Sequence, residues 1–272
     1  MRTLIHLSDL HFGRVDPALL QPLTETVGSI RPDLVVVSGD LTQRAKSAQF
    51  IEAKRFLDAL GFPLLIVPGN HDVPLYNVAA RMLTPLARYK RHVTADLEPM
   101  FADDEIAVLG INTARSMVMK NGRINYGQIA AVREKLWAIP DPVTKIIVTH
   151  HPFDLPERHG NDDLVGRAQL AMQTFAECGA DVLLAGHFHT SHAGSTAARH
   201  RIVGHSALVI QAGTATSTRG RGETNSFNVI RVAHPRIELQ RYGWDEGAAL
   251  FLPGAADQFE TIGGQWVSAP NG

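Results

Sequence analysis

The 272-residue sequence predicts an α/β fold, and three observations carry that prediction. Short apolar runs bounded by Gly, Pro, Asp or Ser alternate with longer segments of helical period. The runs are apolar at consecutive positions, as strands covered on both faces are. After Gly186 the alternation gives way to strand-like segments with no helix between them, which predicts a second, more antiparallel sheet.

The predicted strands of the first part are residues 3–7, 34–37, 64–67, 106–111, 145–149 and 182–185. Between them, Phe50, Ala53, Leu57 and Leu60 recur on one helical stripe, and Ile129, Val132, Leu136 and Ile139 on another. The later strands are 206–212, 226–232 and 236–242. These elements make a single domain over 1–252, with a ligand-bearing α/β part at 1–190 and a strand-rich part at 191–252. Residues 253–272, rich in Gly, Pro and Ala, read as a loosely packed tail.

Composition narrows the function. With 44% hydrophobic residues the chain can bury a core that needs no staples. Its one cysteine, Cys178, excludes a disulfide framework and a thiolate zinc cluster, and falls in a helical pattern as a packed residue. A formal net charge of −1 lacks the basic footprint of a general nucleic-acid binder. The N-terminal apolar run is interrupted by His6, and no segment approaches eighteen apolar residues, so a soluble, cytoplasmic protein without a membrane span is expected.

Five of the six early strands end in side chains that ligate metals. The ends are Ser8-Asp9-Leu10-His11, Ser38-Gly39-Asp40, Gly69-Asn70-His71-Asp72, His150-His151-Pro152 and Gly186-His187-Phe188-His189. In α/β sheets ligands collect at the carboxyl ends of strands, so these residues are expected on one rim. In extended chain Asp9 and His11 project to one side, as do His187 and His189, and each pair then offers two ligands to one place. Singly, Asp9 and Asp40 read as cap or turn residues, His150 as a strand end, and Gly69-Asn70 as a turn. Jointly, they crowd carboxylates and imidazoles at one rim, where a cation supplies the charge that buried carboxylates need.

In this order, Asp9-x-His11, Gly39-Asp40, Gly69-Asn70-His71-Asp72, His150 and Gly186-His187-x-His189 resemble the signature of the calcineurin-like metallophosphoesterases, over residues 3–190. The opening SDLHFG, the HHP block, and Gly213-Thr214-Ala215-Thr216-Ser217 with Ser226-Phe227-Asn228 resemble bacterial class III cyclic-nucleotide phosphodiesterases and related glycerophosphodiesterases. The resemblance implies a two-sheet αββα sandwich with mixed sheets flanked by helices. It also implies two divalent ions, one held by Asp9, His11, Asp40 and His189, the other by Asp40, Asn70, His150 and His187, with Asp40 as the bridge. An all-oxygen-and-nitrogen donor set suits Mn, Fe or Zn. His11 stands where related purple acid phosphatases carry a tyrosine, so no phenolate-stabilised ferric site is expected.

The resemblance implies hydrolysis of a small phosphodiester, such as a 3′,5′-cyclic nucleotide or a glycerophosphodiester, by a metal-bridging hydroxide, with His71 as general acid or cationic stabiliser at the leaving oxygen. Asp72 is read either as orienting His71 or as a helix cap, and His151 as a core histidine or a support for the ligands beside it. Related phosphodiesterases commonly self-associate, so a homo-oligomer is compatible with the resemblance.

A nuclease like the DNA-repair exonucleases of the superfamily is the alternative. Its support is the basic stretch Arg81, Arg88, Lys90 and Arg91, which also reads as a solvated helix face; no stable nucleic-acid complex is expected. An inactive scaffold of the same fold is a third reading, opposed by the full set of ligand positions. Selectivity is assigned to the loops at 112–126, 152–166 and 214–225; in the last, Arg219 and Arg221 read either as phosphate or base contacts or as an exposed hairpin tip.

Overall fold

Side-chain parity along the strands decides the layers of this protein. The structure, a computed structural model, describes residues 1–118, 120–156, 160–196, 205–219 and 222–269. In β1 (Arg2–Leu7) and β2 (Leu34–Val37), Leu4, Leu34 and Val36 face one core, and Ile5, Leu7, Val35 and Val37 face another. In β6 (Thr144–Val148) and β7 (Val182–Ala185), Ile146, Val148, Val182 and Leu184 join the first of these cores, while Ile147 and Leu183 face a third. Every one of these strands is buried on both faces, which is why its sequence is apolar without alternation.

The shared core lies between two sheets. A seven-stranded sheet runs β13-β12-β11-β10-β1-β2-β3, and a six-stranded sheet runs β4-β5-β6-β7-β9-β8. Here β3 is Leu64–Ile66, β4 Met100–Ala102, β5 Ile106–Gly110, β8 His192–Ser195 and β9 Leu208–Gln211. The last four strands are β10 (Ser226–Ala233), β11 (Arg236–Asp245), β12 (Leu250–Ile262) and β13 (Gln265–Ala269). Helices α1 (Pro17–Ile30) and α2 (Ser47–Ala59) cover the outer face of the first sheet through Leu19, Leu23, Val27, Phe50, Ala53 and Leu57. The short helices α3 (Val78–Leu83) and α4 (Ala87–His92) follow β3, and Tyr89 of α4 is fully buried, its hydroxyl donating to the Ile66 carbonyl at 3.0 Å. Helices α5 (Tyr126–Trp137) and α6 (Ala168–Glu177) cover the second sheet through Ile129, Val132, Leu136, Met172 and Phe175. The result is the αββα sandwich with two mixed sheets that the sequence implied.

Two expectations are corrected. The late strands do not form a sheet of their own: β8 and β9 complete the six-stranded sheet, and β10 pairs antiparallel with β1, so that β10–β13 extend the first. Alternation reports which face of a strand is covered and says nothing about its hydrogen-bonding neighbour. The segment expected to be a loose tail forms β12 and β13 as far as Ala269, joined at Gly263-Gly264, both of positive φ. A Gly-Gly pair between strand segments is the hairpin signal there. It was masked because β12 buries few side chains, Phe251 and Phe259 among them, and so carries little apolar pattern. Among the described residues, no helix is long and apolar enough to cross a membrane.

Candidate metal centre

The carboxyl ends of β1, β2 and β3 in one sheet and of β6 and β7 in the other meet at a common edge, and the side chains that follow them converge. Asp9, His11 and His189 form one group whose ligand atoms lie within 4.8 Å of one another; Asp9, Asp40 and His150 form a second; His150, His151 and His187 a third. Asp9 Oδ1 is 3.1 Å from His189 Nε2 and 3.5 Å from His11 Nε2, and those two nitrogens are 3.3 Å apart. Asp40 Oδ2 is 3.4 Å from His150 Nε2 and 3.8 Å from His11 Nε2, so it stands between the groups. Asn70 Oδ1 is 3.0 Å from His150 Nε2 and 3.1 Å from His187 Nδ1.

The backbone is bent to achieve this. Asp9, His11, Asp40, His187 and His189 all adopt positive φ, between 50° and 76°, five of nine such non-glycine residues among those described. The pairs therefore do not converge by pointing to one side of an extended strand, as the D-x-H and H-x-H spacing implied; each residue turns in by a left-handed kink. Such conformations cost about 1–3 kcal/mol each and persist where surrounding structure over-determines them, as at ligand sites. Here the loops are tied together: Asp9 N donates to the Gly39 carbonyl at 3.1 Å, His11 N to that of Asp40 at 2.9 Å, and Gly186 N to that of His150 at 3.1 Å.

The donor chemistry fits cations. His150 Nδ1 donates to the Ser38 carbonyl at 2.8 Å, and His189 Nδ1 to the Arg219 carbonyl at 3.2 Å, which leaves each neutral ring with its Nε2 lone pair facing the centre. Asp9 Oδ1 is buried against the Nε2 atoms of His189 and His11 and, with those rings bare at Nε2, receives no hydrogen bond. Lone pairs thus face lone pairs, and the cluster holds together only with positive charge among them. Without a metal that charge comes as protons. Burial pushes His150 down, but the charge and hydrogen bond of Asp40, with Asp9 and the Ser38 carbonyl, hold it up at about 9. Burial works against the ionised carboxylates too, yet both stay well below the usual carboxylate range, Asp9 through hydrogen bonds from the protonated rings of His11 and His189 and the charges of His189 and His150, Asp40 through the charge and hydrogen bond of His150. His187, pushed down to about 3 by burial and by the charge of His150, is a neutral ligand donor.

Residues 2–191 match the family model of the calcineurin-like phosphoesterases. The chain belongs to that family. It is similar to the glycerophosphodiester phosphodiesterase GpdQ of Enterobacter lignolyticus, 36% identical over 80 residues, a match spanning 25% of this chain and 29% of that protein. A cAMP/cGMP dual specificity phosphodiesterase of Mycobacterium tuberculosis is 26% identical over 257 residues, covering 84% of this chain and 75% of that one. In fold it is similar to a dimetal phosphatase from Danio rerio, with a TM-score of 0.68 at 13% identity, covering 93% of this chain and 98% of the other. The first of these matches spans well under two thirds of its relative's length, and the candidate ligands of this chain are gathered at the sandwich edge.

Around the candidate ligands stand residues with other contacts. His71 follows Asn70 in a 3-10 turn; its backbone N–H donates to Asp40 Oδ1 at 2.8 Å and its ring meets the His11 ring edge-on at 4.9 Å. The ring Nδ1 donates to the Gln43 carbonyl at 3.1 Å, so the neutral ring carries its lone pair on Nε2, where the Arg219 guanidinium donates at 3.0 Å. Burial pushes His71 down, as do the charges of His11 and Arg219.

Asp72 does not orient His71. Its buried carboxylate accepts from the N–H groups of Gly69, Leu41 and Thr42 and from the Thr42 hydroxyl, which fastens the third strand's loop to the second's. Burial and the charge of Asp40 push it up to about 7. His151 is buried behind the ligands, its Nδ1 2.8 Å from the Thr113 hydroxyl and its ring 4.8 Å from that of His187. Ser8 and Arg219 make contacts beyond what the sequence pattern indicates: Ser8 Oγ donates to Asp9 Oδ2 at 2.6 Å, and Arg219, of whose two readings the exposed hairpin tip does not hold, is half-buried against His71. Both are common residue types whose sequence neighbours carry no signal of the loop they face. Arg221 lies outside the described residues. A cleft of about 880 Å³ between the β8–β9 and β10–β13 strands is lined by none of the predicted site residues.

Proposed function

We propose that this phosphoesterase is a dinuclear-metal phosphodiesterase acting on small diesters of the 3′,5′-cyclic nucleotide or glycerophosphodiester kind. The observation that carries the reading is Asp40 standing between two clusters of inward-facing acceptors, with the ring of His71 beside the centre but outside both. Asp9, His11, Asp40 and His189 would hold one ion, and Asp40, Asn70, His150 and His187 the other. Oxygen and nitrogen donors without a thiolate favour Mn, Fe or Zn. When bound, two such ions supply a nucleophilic water at neutral pH and positive charge for the phosphoryl oxygens.

The protein's own groups set the rest. Ser38 and Arg219 carbonyls fix the tautomers of His150 and His189, so that neither ring needs to rotate to present Nε2. His71 is positioned by Asp40 through its backbone and by Gln43 through its ring, and serves the leaving oxygen, a role worth about 10²–10⁴ in rate. Diester chemistry is favoured because an alkoxide leaving group needs a proton, which the His71 imidazole can deliver once Nε2, bare in the neutral ring, has taken one up from solvent. The names of the two phosphodiesterase relatives support the same class. The proposal also sets the enzyme in the cytoplasm, where a lone buried thiol such as Cys178 stays reduced.

The nuclease reading has less support. Arg81, first of its four basic residues, is buried and donates to the Ser116 and Pro74 carbonyls, leaving only the exposed Arg88, Lys90 and Arg91 of α4. The test is a hydrolysis panel with Mn²⁺: cAMP, 2′,3′-cyclic nucleotides, glycerophosphodiesters, bis(nitrophenyl) phosphate, nitrophenyl phosphate and single-stranded DNA. A small diester is expected to have the highest kcat/KM; a clear win for the monoester or for DNA refutes the proposal.

A further inference from the structure

We infer that Arg219 is the phosphate-binding residue of this site, its guanidinium trading the His71 ring for the anionic phosphoryl oxygen of the substrate. The inference rests on the phosphodiesterase reading above and adds to it a residue that no ligand pattern contains.

The first ground is that the loop carrying Arg219 is built into the centre. It is laced to the loop after β1: Ala215 N donates to the Ser8 carbonyl at 3.1 Å, and the hydroxyls of Thr214 and Thr216 donate to the carbonyls of Asp9 and Leu10 at 2.8 and 2.9 Å. Asp16 N donates to the Thr216 carbonyl and Thr218 N to that of Arg14, both at 2.9 Å. The turn closes on itself through Arg219 N to Ser217 Oγ at 3.1 Å and Asn225 Nδ2 to the Ser217 carbonyl at 2.9 Å. Finally the Arg219 carbonyl receives His189 Nδ1, so the residue's backbone fixes a candidate ligand while its side chain reaches His71.

The second ground is the bond between the guanidinium and His71. A guanidinium can only donate, so His71 Nε2 is the acceptor, and Nδ1, which faces the Gln43 carbonyl at 3.1 Å and the Gln43 amide nitrogen at 3.4 Å, carries the ring proton. A bond from a cation to a neutral ring is weaker than the charge-assisted, forked contact the same group makes with phosphate. The guanidinium lies next to a ring that is itself 4.9 Å from His11, on the side of the centre where His71 stands. A diester entering there offers the better acceptor. The exchange anchors the anion and uncovers His71 Nε2 in one event, which makes Arg219 a specificity residue for an anionic phosphoryl group as well as a positioning residue for His71.

The test compares wild type with Arg219→Ala and Arg219→Gln, each loaded with Mn²⁺, using inorganic phosphate as the binding probe in titration calorimetry. Steady-state kinetics on bis(nitrophenyl) phosphate and metal content are measured alongside. Expected are metal content unchanged, phosphate affinity weakened about 10–100-fold, KM raised by a similar factor, and partial recovery of Arg219→Ala with added guanidinium. His71→Ala, by contrast, is expected to keep phosphate affinity and lose kcat. Phosphate affinity and KM unchanged in both Arg219 variants, with kcat falling as in His71→Ala, would overturn the inference, because Arg219 would then only hold the ring. If Arg219→Ala loses metal, Arg219→Gln decides by the same two readings. Wild-type protein that neither cleaves a diester nor binds phosphate overturns the phosphodiesterase reading and this inference together; wild type that does both, with unaffected variants, overturns this inference alone.

Discussion

Gly186 is the position where one added methyl group would strain the centre most directly. A Cβ there would sit 1.8 Å from Ser8 Oγ, 2.7 Å from Asp9 Oδ2 and 3.0 Å from Ser8 Cβ. Neither neighbour can yield cheaply. Ser8 Oγ is bonded to Asp9 Oδ2, both residues are fully buried, and Asp9 is already held at positive φ. Gly186→Ala must therefore part the loop after β7 from the loop after β1. Overpacking of this kind costs about 1–3 kcal/mol, and loss of the charge-assisted hydroxyl bond to Asp9 adds about 1.5–3 kcal/mol. At about 2–4 °C per kcal/mol for a chain of this size, the variant should melt roughly 5–24 °C below wild type by scanning calorimetry. The separation would also displace Asp9 from His189, so elemental analysis should find less metal than in wild type. Ser8→Ala in the same chain removes the closest contact and should recover part of the melting temperature but not the Asp9 bond. A Gly186→Ala protein that melts within about 2 °C of wild type and holds full metal would show that the two loops do not meet as described.

Asp40→Ala should lower metal content and activity together, because Asp40 faces both ligand groups, whereas Asn70→Ala should weaken mainly the ion held with His150 and His187; two tightly held ions in the Asp40 variant would refute the bridging assignment. For metal-stripped protein, the folded state holds His150 at about 9 against an unfolded value of about 6.5, so its contribution is complete below pH 6.5 and is lost as pH rises through 9. The loss is on the order of 3 kcal/mol, read as a falling urea midpoint in EDTA across that window. Saturating Mn²⁺ should reverse the slope, since ligation needs the neutral ring; a flat or rising profile in EDTA would refute the electrostatic account of the cluster.

Much of this molecule is determined by local sequence. Runs such as Leu34-Val35-Val36-Val37 and Val182-Leu183-Leu184-Ala185 are apolar at every position because both faces of those strands are covered, and that alone specifies buried strands in an α/β sandwich. The ligand candidates are legible for the same reason: they follow the strands directly, so their types and spacing travel with the strand pattern. What the local sequence leaves open is partnership between distant segments. The attachment of β10 to β1, the pairing of the β12–β13 hairpin, and the choice of Asp72 for the Gly69, Leu41 and Thr42 amides depend on which edge or donor lies free nearby, a matter of three-dimensional packing with no periodic trace. The same holds for the left-handed kinks at Asp9, His11, Asp40, His187 and His189, which local preference disfavours and only the closure of the two sheets' edges imposes. It holds most of all for Arg219, 148 residues from His71 in sequence, which reaches that ring because hydroxyls and amides of its loop bind the carbonyls of the loop after β1.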